Sequence, residues 1–196
     1  MSNKQRTRLS PSARIDQLLD VAKQMILNDG LQSFTMESLA RNATVSSPLV
    51  YNYFSSRKAL LQALLEREHR LSGSALLAEV VNANSFEEVI RVFITNNFSH
   101  HAPGNILPVL QSQPEIADGI KKLRKQQRMQ TAQYLVENSA KTYKLSVEQA
   151  QLAIAMSSGA SVAAAEWVAM NEVDQKKAID MTLAYIKAGM KGLADQ

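Results

Sequence analysis

Hydrophobic residues recur every three or four positions along most of the chain, and this spacing predicts a series of α-helices. The first helix follows a start signal at Ser10–Ser12 and stops at Gly30, and the last carries an apolar stripe from Ile179 to Leu193. The sequence contains neither the alternation typical of β-strands nor an internal repeat. The chain is therefore predicted to be all-α.

The second half of the chain is predicted to consist of long helices separated by short breaks. A helix is predicted over residues 86–98, followed by a loop over residues 100–104. We expect His100 and His101 to be a solvated pair in that loop. One continuous helix is predicted over residues 115–143.

The stretch from Thr35 to Phe54 has the pattern of two short helices joined by a tight turn. Thr35 can cap the first helix, and Ser46 or Ser47 can cap the second. Val50 and Phe54 are expected to face the core. The outward residues at the start of the second helix are Ser47, Leu49, Tyr51 and Asn52. Because a helix that enters the DNA major groove reads base edges with such N-terminal residues, the pattern indicates a helix-turn-helix. An ordinary helical hairpin is the alternative.

Composition favours a soluble globular protein. The 196 residues are 45% hydrophobic and 20% charged, so a sizeable core can form. The absence of cysteine excludes disulfides, cysteine nucleophiles and cysteine-ligated metals, and it fits a reducing compartment. The polar, basic N-terminus is unlike a signal peptide. The run from Leu152 to Val168 is too weakly apolar for a membrane span. We expect a cytoplasmic protein without membrane contact.

The surplus positive charge lies in one segment. Residues 1–60 hold eight basic and four acidic side chains, whereas the remaining residues hold 14 of each sign. The whole net charge of +4 therefore belongs to the segment with the helix-turn-helix pattern. Such a surface attracts phosphate backbones, and the attraction falls with salt.

The sequence gives little support to catalysis. Its three histidines are His69, His100 and His101, and an adjacent pair lacks the spacing of a helical metal site. The sequence has no glycine-rich phosphate loop and no serine-centred nucleophile elbow. We therefore expect no enzymatic activity, no catalytic residues, no metal and no cofactor.

The segment from Arg14 to Leu65 resembles the DNA-binding domain of the TetR family of bacterial transcriptional regulators. The matching residues are Ile15, Ala22, Gly30, Phe34, Thr35, Leu39, Ala40, Ala43, Val45, Ser46, Tyr51, Tyr53, Phe54, Arg57 and Leu60. Thr44 stands at the usual glycine of the turn, so the turn must avoid a left-handed conformation there or be strained. Pro48 and Leu49 replace glycine and a small hydroxyl residue, and Arg57 replaces the more frequent lysine. These departures concern the base preference rather than the fold.

The resemblance implies a basic flexible arm over residues 1–11, a helix-turn-helix domain over residues 12–72 and a larger ligand-binding and dimerisation domain over residues 73–196. It also implies a homodimer in which the last two helices of each subunit form a four-helix bundle. Small residues near position 160 and the unmatched stripe on the last helix favour this independently, although alanine also simply favours helix. The expected interface residues are Gly159, Ala163, Ile179, Leu183, Ile186 and Met190.

Members of the family enclose a small-molecule pocket in the second domain. The candidate lining residues here are Phe93, Phe98, Leu107, Met129, Trp167 and Met170. Each of them also fits a plain core position, so the pocket assignment rests on the resemblance.

The predicted function is a ligand-responsive repressor that binds a palindromic operator as a dimer. The residues expected to meet base edges are Ser47, Pro48, Leu49, Tyr51 and Asn52. Those expected at phosphates or the helix cap are Thr35, Ser46, Tyr53, Arg57 and Lys58. An all-α ligand carrier or small enzyme is the alternative. The sequence leaves open the effector, the operator and its target genes, the direction of the response, and repression against activation.

Overall fold

The computed structural model describes residues 9–194, apart from the side chains at positions 115, 122 and 123. All regular secondary structure in these residues is helical, so the predicted all-α fold is confirmed. The helices are α1 (Pro11–Asp29), α2 (Met36–Asn42), α3 (Ser47–Tyr53), α4 (Arg57–Asn82), α5 (Phe86–His101), α6 (Ile106–Gln111), α7 (Pro114–Ala117), α8 (Lys121–Tyr143), α9 (Val147–Ala169) and α10 (Gln175–Ala194). Most of the predicted basic arm, residues 1–8, lies outside the described residues.

Local signals explain where several helices begin and end. The Ser10 hydroxyl accepts from the amide of Ala13 at 3.2 Å and caps α1, and Gly30 ends that helix with a φ of 81°. Ser146 and Gln149 cap α9 reciprocally, because each side chain bonds to the backbone amide of the other residue. These bonds satisfy amides that have no partner within the first helical turn.

Two predicted elements are wrong in the second half of the chain. The helix predicted over residues 115–143 is divided, because the 3₁₀ turn Asp118–Ile120 separates α7 from α8. His100 and His101 lie in the last turn of α5 rather than in a loop, and both are only partly exposed. Apolar periodicity alone merged α7 with α8 and ended α5 at residue 98 instead of at His101.

The chain forms two compact units. Among the described residues, the first contains residues 9–68 and 109–119, and the second contains residues 69–108 and 120–194. Helix α4 contributes to both, since the division falls between Glu68 and His69. The domain boundary at residue 72 stays a prediction. Residues 109–119 cluster with the first unit, a long-range association that no local pattern signals.

Each unit has its own apolar core. In the first unit, large buried side chains come from α1, α2, α4 and the α1–α2 loop, and they include Leu18, Phe34, Leu39, Leu61 and Leu64. In the second unit, α5, α9 and α10 pack on one another. Their buried cluster includes Ile94, Phe98, Ala165, Leu183 and Ile186.

Helix α9 is long and apolar enough, by length and composition, to cross a membrane. Only 17% of its most apolar window is buried within the chain. By length and composition, the expectation that this segment is too weakly apolar for a span is therefore not confirmed.

Candidate nucleic-acid interface

Two N-caps and one left-handed residue shape the helix-turn-helix. The Thr35 hydroxyl accepts from the amide of Ser38 at 3.0 Å, and the Ser38 hydroxyl accepts from the amide of Thr35 at 3.1 Å. Ser46 caps α3, accepting from the amide of Leu49 at 3.4 Å. Thr44 has a φ of 55°, so the turn takes the left-handed conformation that a β-branched residue disfavours.

Helix α3 is anchored by one face and open on the other. Val50 is completely buried, and Phe54, directly after the helix, is also buried. Pro48, Tyr51 and Asn52 are exposed, whereas Ser47, Leu49 and Tyr53 are partly exposed. The core contacts therefore fix the helix while its first turns present polar and aromatic groups outward.

Glu37 of α2 orients Tyr51. The Tyr51 hydroxyl donates to Glu37 Oε1 at 3.2 Å. That hydrogen bond is the main reason why the pKa of Tyr51 is raised, with desolvation and the carboxylate charge acting in the same direction. The sequence interpretation did not assign Glu37 this role. Its position 14 residues before Tyr51 gives no local signal.

The Arg57 side chain makes hydrogen bonds within the first unit, which its predicted role as a phosphate contact does not explain. Its Nε donates to the Phe34 carbonyl at 3.0 Å and its Nη2 to the Leu31 carbonyl at 2.7 Å. The guanidinium carbon also lies 5.9 Å from the centre of the Phe34 ring. The neighbouring Lys58 is exposed and is freer to meet a phosphate.

A charged network joins α1 to α4 behind the helix-turn-helix. Lys23 Nζ lies 2.7 Å from Glu68 Oε2, and Arg67 Nη2 lies 2.9 Å from Asp20 Oδ1 and 3.0 Å from Glu68 Oε1. Arg67 and Glu68 are both buried. Each buried charge has partners of opposite sign on the other helix, so the network ties α1 to α4.

Comparisons with known proteins identify this architecture. Residues 18–64, from within α1 to within α4, match the family model described as bacterial regulatory proteins, tetR family. Two curated proteins of Mycobacterium tuberculosis, each described as an uncharacterised HTH-type transcriptional regulator, are 31% identical over 80 residues. Over residues 18–64 the chain is therefore similar to the tetR family of bacterial regulatory proteins.

The matched segment spans 41% of this chain and 40% of each mycobacterial relative. Solved structures extend the likeness to nearly the whole chain. A TetR-like transcriptional regulator from a Rhodococcus species covers 94% of this chain and 100% of its own, with 24% identity and a TM-score of 0.65. The fatty acid degradation regulator FadR from Bacillus halodurans covers 96% and 97%, with 21% identity and a TM-score of 0.63. These structures establish the fold. The TetR proteins that the chain resembles are regulators, not enzymes.

The predicted effector residues do not form one group in this chain. Phe98 and Leu107 are buried and Phe93 is partly exposed. Met129, Trp167 and Met170 are instead 63%, 54% and 77% exposed, so they do not line an enclosed cavity within the second unit. An open depression of about 330 Å³ involves none of the six. It is lined by Glu79, Asn82, Ala83, Glu88, Arg91 and Val92.

The predicted interface stripe on α10 requires a correction. Ile179, Leu183, Ile186 and Met190 are buried inside the subunit and belong to the core of the second unit. The stripe does need a partner, but α5 and α9 of the same chain supply it. Gly159 and Ala163 of α9 are exposed, and their assignment to the interface stays a prediction.

A second apolar face was missed in the sequence. On α9, the exposed residues Leu152 and Met156 continue the row of Gly159 and Ala163 at spacings of three and four. On α10, Met181 and Tyr185 are exposed on the side opposite the buried stripe. The signal was present, since both helices carry apolar residues on two faces rather than one.

Proposed function

We propose that this chain is a transcriptional repressor that binds a palindromic double-stranded DNA operator as a homodimer and responds to a small-molecule effector. The observation that carries the proposal is helix α3, in which buried Val50 anchors a turn that exposes Pro48, Tyr51 and Asn52. The family match over residues 18–64 supports the same reading. The expected compartment is the cytoplasm, with the protein on the nucleoid when bound to DNA.

Charge supports DNA as the partner of the first unit. The surplus of four positive charges in residues 1–60 favours a polyanion. Arg41 in the last turn of α2 and Lys58 in the first turn of α4 are both exposed near the ends of the helix-turn-helix. Thr35, Ser46, Tyr53 and Arg57 complete the proposed backbone contacts, and for Arg57 a phosphate contact competes with its two inward hydrogen bonds.

Selection of DNA fragments by the purified full-length protein tests the proposal. The retained fragments should share an inverted repeat, and affinity should fall steeply with salt. Asn52→Ala should lose preference for that repeat while keeping salt-dependent binding. Fragments without a shared sequence would contradict the proposed function.

Leu49 is proposed to read the methyl group of a thymine in each half-site, because that methyl is the apolar feature of the major groove. Leu49 is partly exposed beside the exposed Pro48. A mismatch at that thymine should cost about 1–3 kcal/mol. Replacing the thymine by uracil removes only the methyl group, and it should weaken binding by wild type while leaving Leu49→Ala nearly indifferent. Equal losses in both proteins would exclude Leu49 as the reader.

The missed apolar face of α9 and α10 supports a second copy of the chain as the other partner. Met181 and Tyr185 are 64% and 71% exposed, on an α10 that packs against α9. Gly159 and Ala163 lie in the row of Leu152 and allow helices to approach closely. A face that is both apolar and small-sided suits helix-on-helix packing between subunits.

Tyr185→Glu tests this interface, since a charge in an apolar contact is costly. The variant should sediment as a folded monomer and lose specific DNA binding. Gln130→Glu adds the same charge to the exposed side of α8 and should remain a dimer. If wild type is monomeric in buffer but associates with lipid vesicles, the face serves a membrane and the dimer proposal fails.

An effector in the second unit would act through α4. Residues 57–68 of this helix belong to the first unit and residues 69–82 to the second, so a change in the helix reaches both. We propose that the bound effector shifts α4 and changes the separation of the two recognition helices. Ligand-dependent DNA affinity is the measurement that tests it.

A further inference from the structure

Five basic or titratable side chains gather from three helices of the second unit. His69 lies on α4, His100 and His101 on the last turn of α5, and Arg124 and Arg128 one turn apart on α8. The rings of His100 and His101 are 5.5 Å apart, edge to face. Helices α4 and α8 meet beside them, since a Cβ built on Gly73 would lie 4.0 Å from Gln127 Nε2, and α5 also packs on α8.

The members of this basic cluster repel one another. Burial is the largest cause that lowers the pKa of His69, and Arg124 and Arg128 lower it further. Burial also lowers the pKa of His100, followed by the charges of His101, Arg124, Arg128 and His69. The pKa of Arg124 is lowered by burial and then by Arg128. A set of like charges that is partly withdrawn from water costs stability unless something offsets it.

The described ion pairs offer no such offset. Glu68 pairs with Lys23 and Arg67, Asp180 with Arg91, and Glu87 with Lys187. None of these pairs includes a member of the basic cluster. In addition, His69 Nδ1 is buried without a hydrogen-bond partner among the described residues. A buried polar atom left unpaired is a reason to look for a ligand.

We propose that His69, His100, Arg124 and Arg128 form a site for the carboxylate or phosphate group of a small anionic ligand. The two guanidinium groups supply fixed charge and donors in a planar fork, which suits either oxyanion. The imidazoles, neutral near pH 7, each donate one N–H or accept one proton as the anion arrives. Arg128 is exposed, which leaves the cluster accessible. The described residues contain no group of three or more His, Cys, Asp or Glu side chains that could hold a metal ion.

The histidines themselves provide the measurement. The chain contains three, all in the basic cluster, so the imidazole proton resonances of the full-length, untagged protein report on this site alone. We would titrate pH in the presence of inorganic phosphate, acetate or chloride at matched ionic strength. The bound anion should raise the pKa of His69 and His100 by about one unit or more, since a nearby opposite charge favours the imidazolium. The larger of the phosphate and acetate effects identifies the preferred oxyanion.

Two variants separate binding from general electrostatics. Arg124→Gln/Arg128→Gln should raise both histidine pKa values without added anion and abolish the further rise with phosphate or acetate. Lys125→Gln removes the same kind of charge from an exposed neighbouring position on α8 and should keep the full anion response. An equal response in chloride, or an unchanged response in the double variant, would overturn the site.

Calling the anion an effector rests on the proposed function, but the site does not. Specific DNA binding together with no anion response would refute the site and leave the regulator standing. An anion response with no effect on operator affinity would support the site and refute its role in regulation.

Discussion

The two units of this chain differ in how many of their large apolar side chains are exposed. In the first unit, the exposed large apolar side chains are Leu9 and Tyr51, the latter on the proposed recognition helix. The second unit exposes a long series that includes Met156, Met181 and Tyr185. The first unit closes its own core, whereas the second buries one face of each terminal helix and leaves another open.

This difference matches the partners that we propose for each unit. A surface that reads DNA needs polar, aromatic and basic groups on a rigid support, and the Lys23–Glu68–Arg67 network with buried Val50 provides that support. A surface that meets another copy of the chain needs apolar area, and α9 and α10 supply it. The contrast therefore separates internal packing from packing between subunits, which can be tested residue by residue.

The largest effect is expected on α10, where Leu183 and Met181 point in opposite directions. Leu183 is 3% exposed, and Leu183→Ala should lower the free energy of unfolding by about 2–5 kcal/mol, because it removes buried methyl groups and leaves a cavity. Met181 is 64% exposed in one chain. Met181→Ala should cost little in dilute protein and more as concentration rises, since the partner that we propose for it is a second subunit. Chemical denaturation at several concentrations measures both.

The reverse pattern would break the comparison. If Leu183→Ala depended on concentration and Met181→Ala did not, the buried stripe would be the intermolecular face.

The sequence alone could not decide which face of α10 is intermolecular. The periodicity of α10 predicts that the stripe from Ile179 to Leu193 is buried, but it does not say by what. Periodicity does not show where α5 and α9 lie, so a second subunit could also cover the stripe. In the structure, α5 and α9 of the same chain cover it.

The helix-turn-helix was predictable because its signals are local. Thr35 and Ser46 cap helices within three residues, and Val50 and Phe54 face the core through helical spacing. The contacts that escaped prediction are long-range. Arg57 reaches carbonyls 23 and 26 residues away, and the basic cluster joins α4, α5 and α8.

The next effect tests whether Arg57 supports the first unit or contacts DNA. Arg57→Ala should lower the free energy of unfolding by about 1–3 kcal/mol, because two backbone carbonyls lose a charged donor. Lys58→Ala is the matched control, since Lys58 is adjacent, equally charged and exposed. It should leave stability unchanged and reduce the salt dependence of DNA binding by about one unit.

Stability and the salt dependence of DNA binding together separate the two possible roles of Arg57. A stable Arg57→Ala protein with a reduced salt dependence would mean that the inward hydrogen bonds contribute nothing and that phosphate contact is the main role. Loss of stability with an unchanged salt slope in the folded fraction would restrict Arg57 to holding the α1–α2 loop.

The smallest effect concerns one left-handed residue in each unit. Thr44 has a φ of 55° in the helix-turn-helix and Lys144 a φ of 56° at the end of α8. Left-handed backbone costs an L-residue about 1–2 kcal/mol, and branching at Cβ makes threonine the worse case. Glycine removes this strain, but it also loosens the unfolded chain and so returns part of the gain. Thr44→Gly should therefore stabilise the protein by about 1 kcal/mol, and Lys144→Gly by less.

Thermal unfolding at fixed concentration measures both changes. Because Thr44 lies in the turn and not on α3, operator preference should be unchanged in Thr44→Gly. A larger gain for Lys144→Gly would show that branching is not the source of the strain.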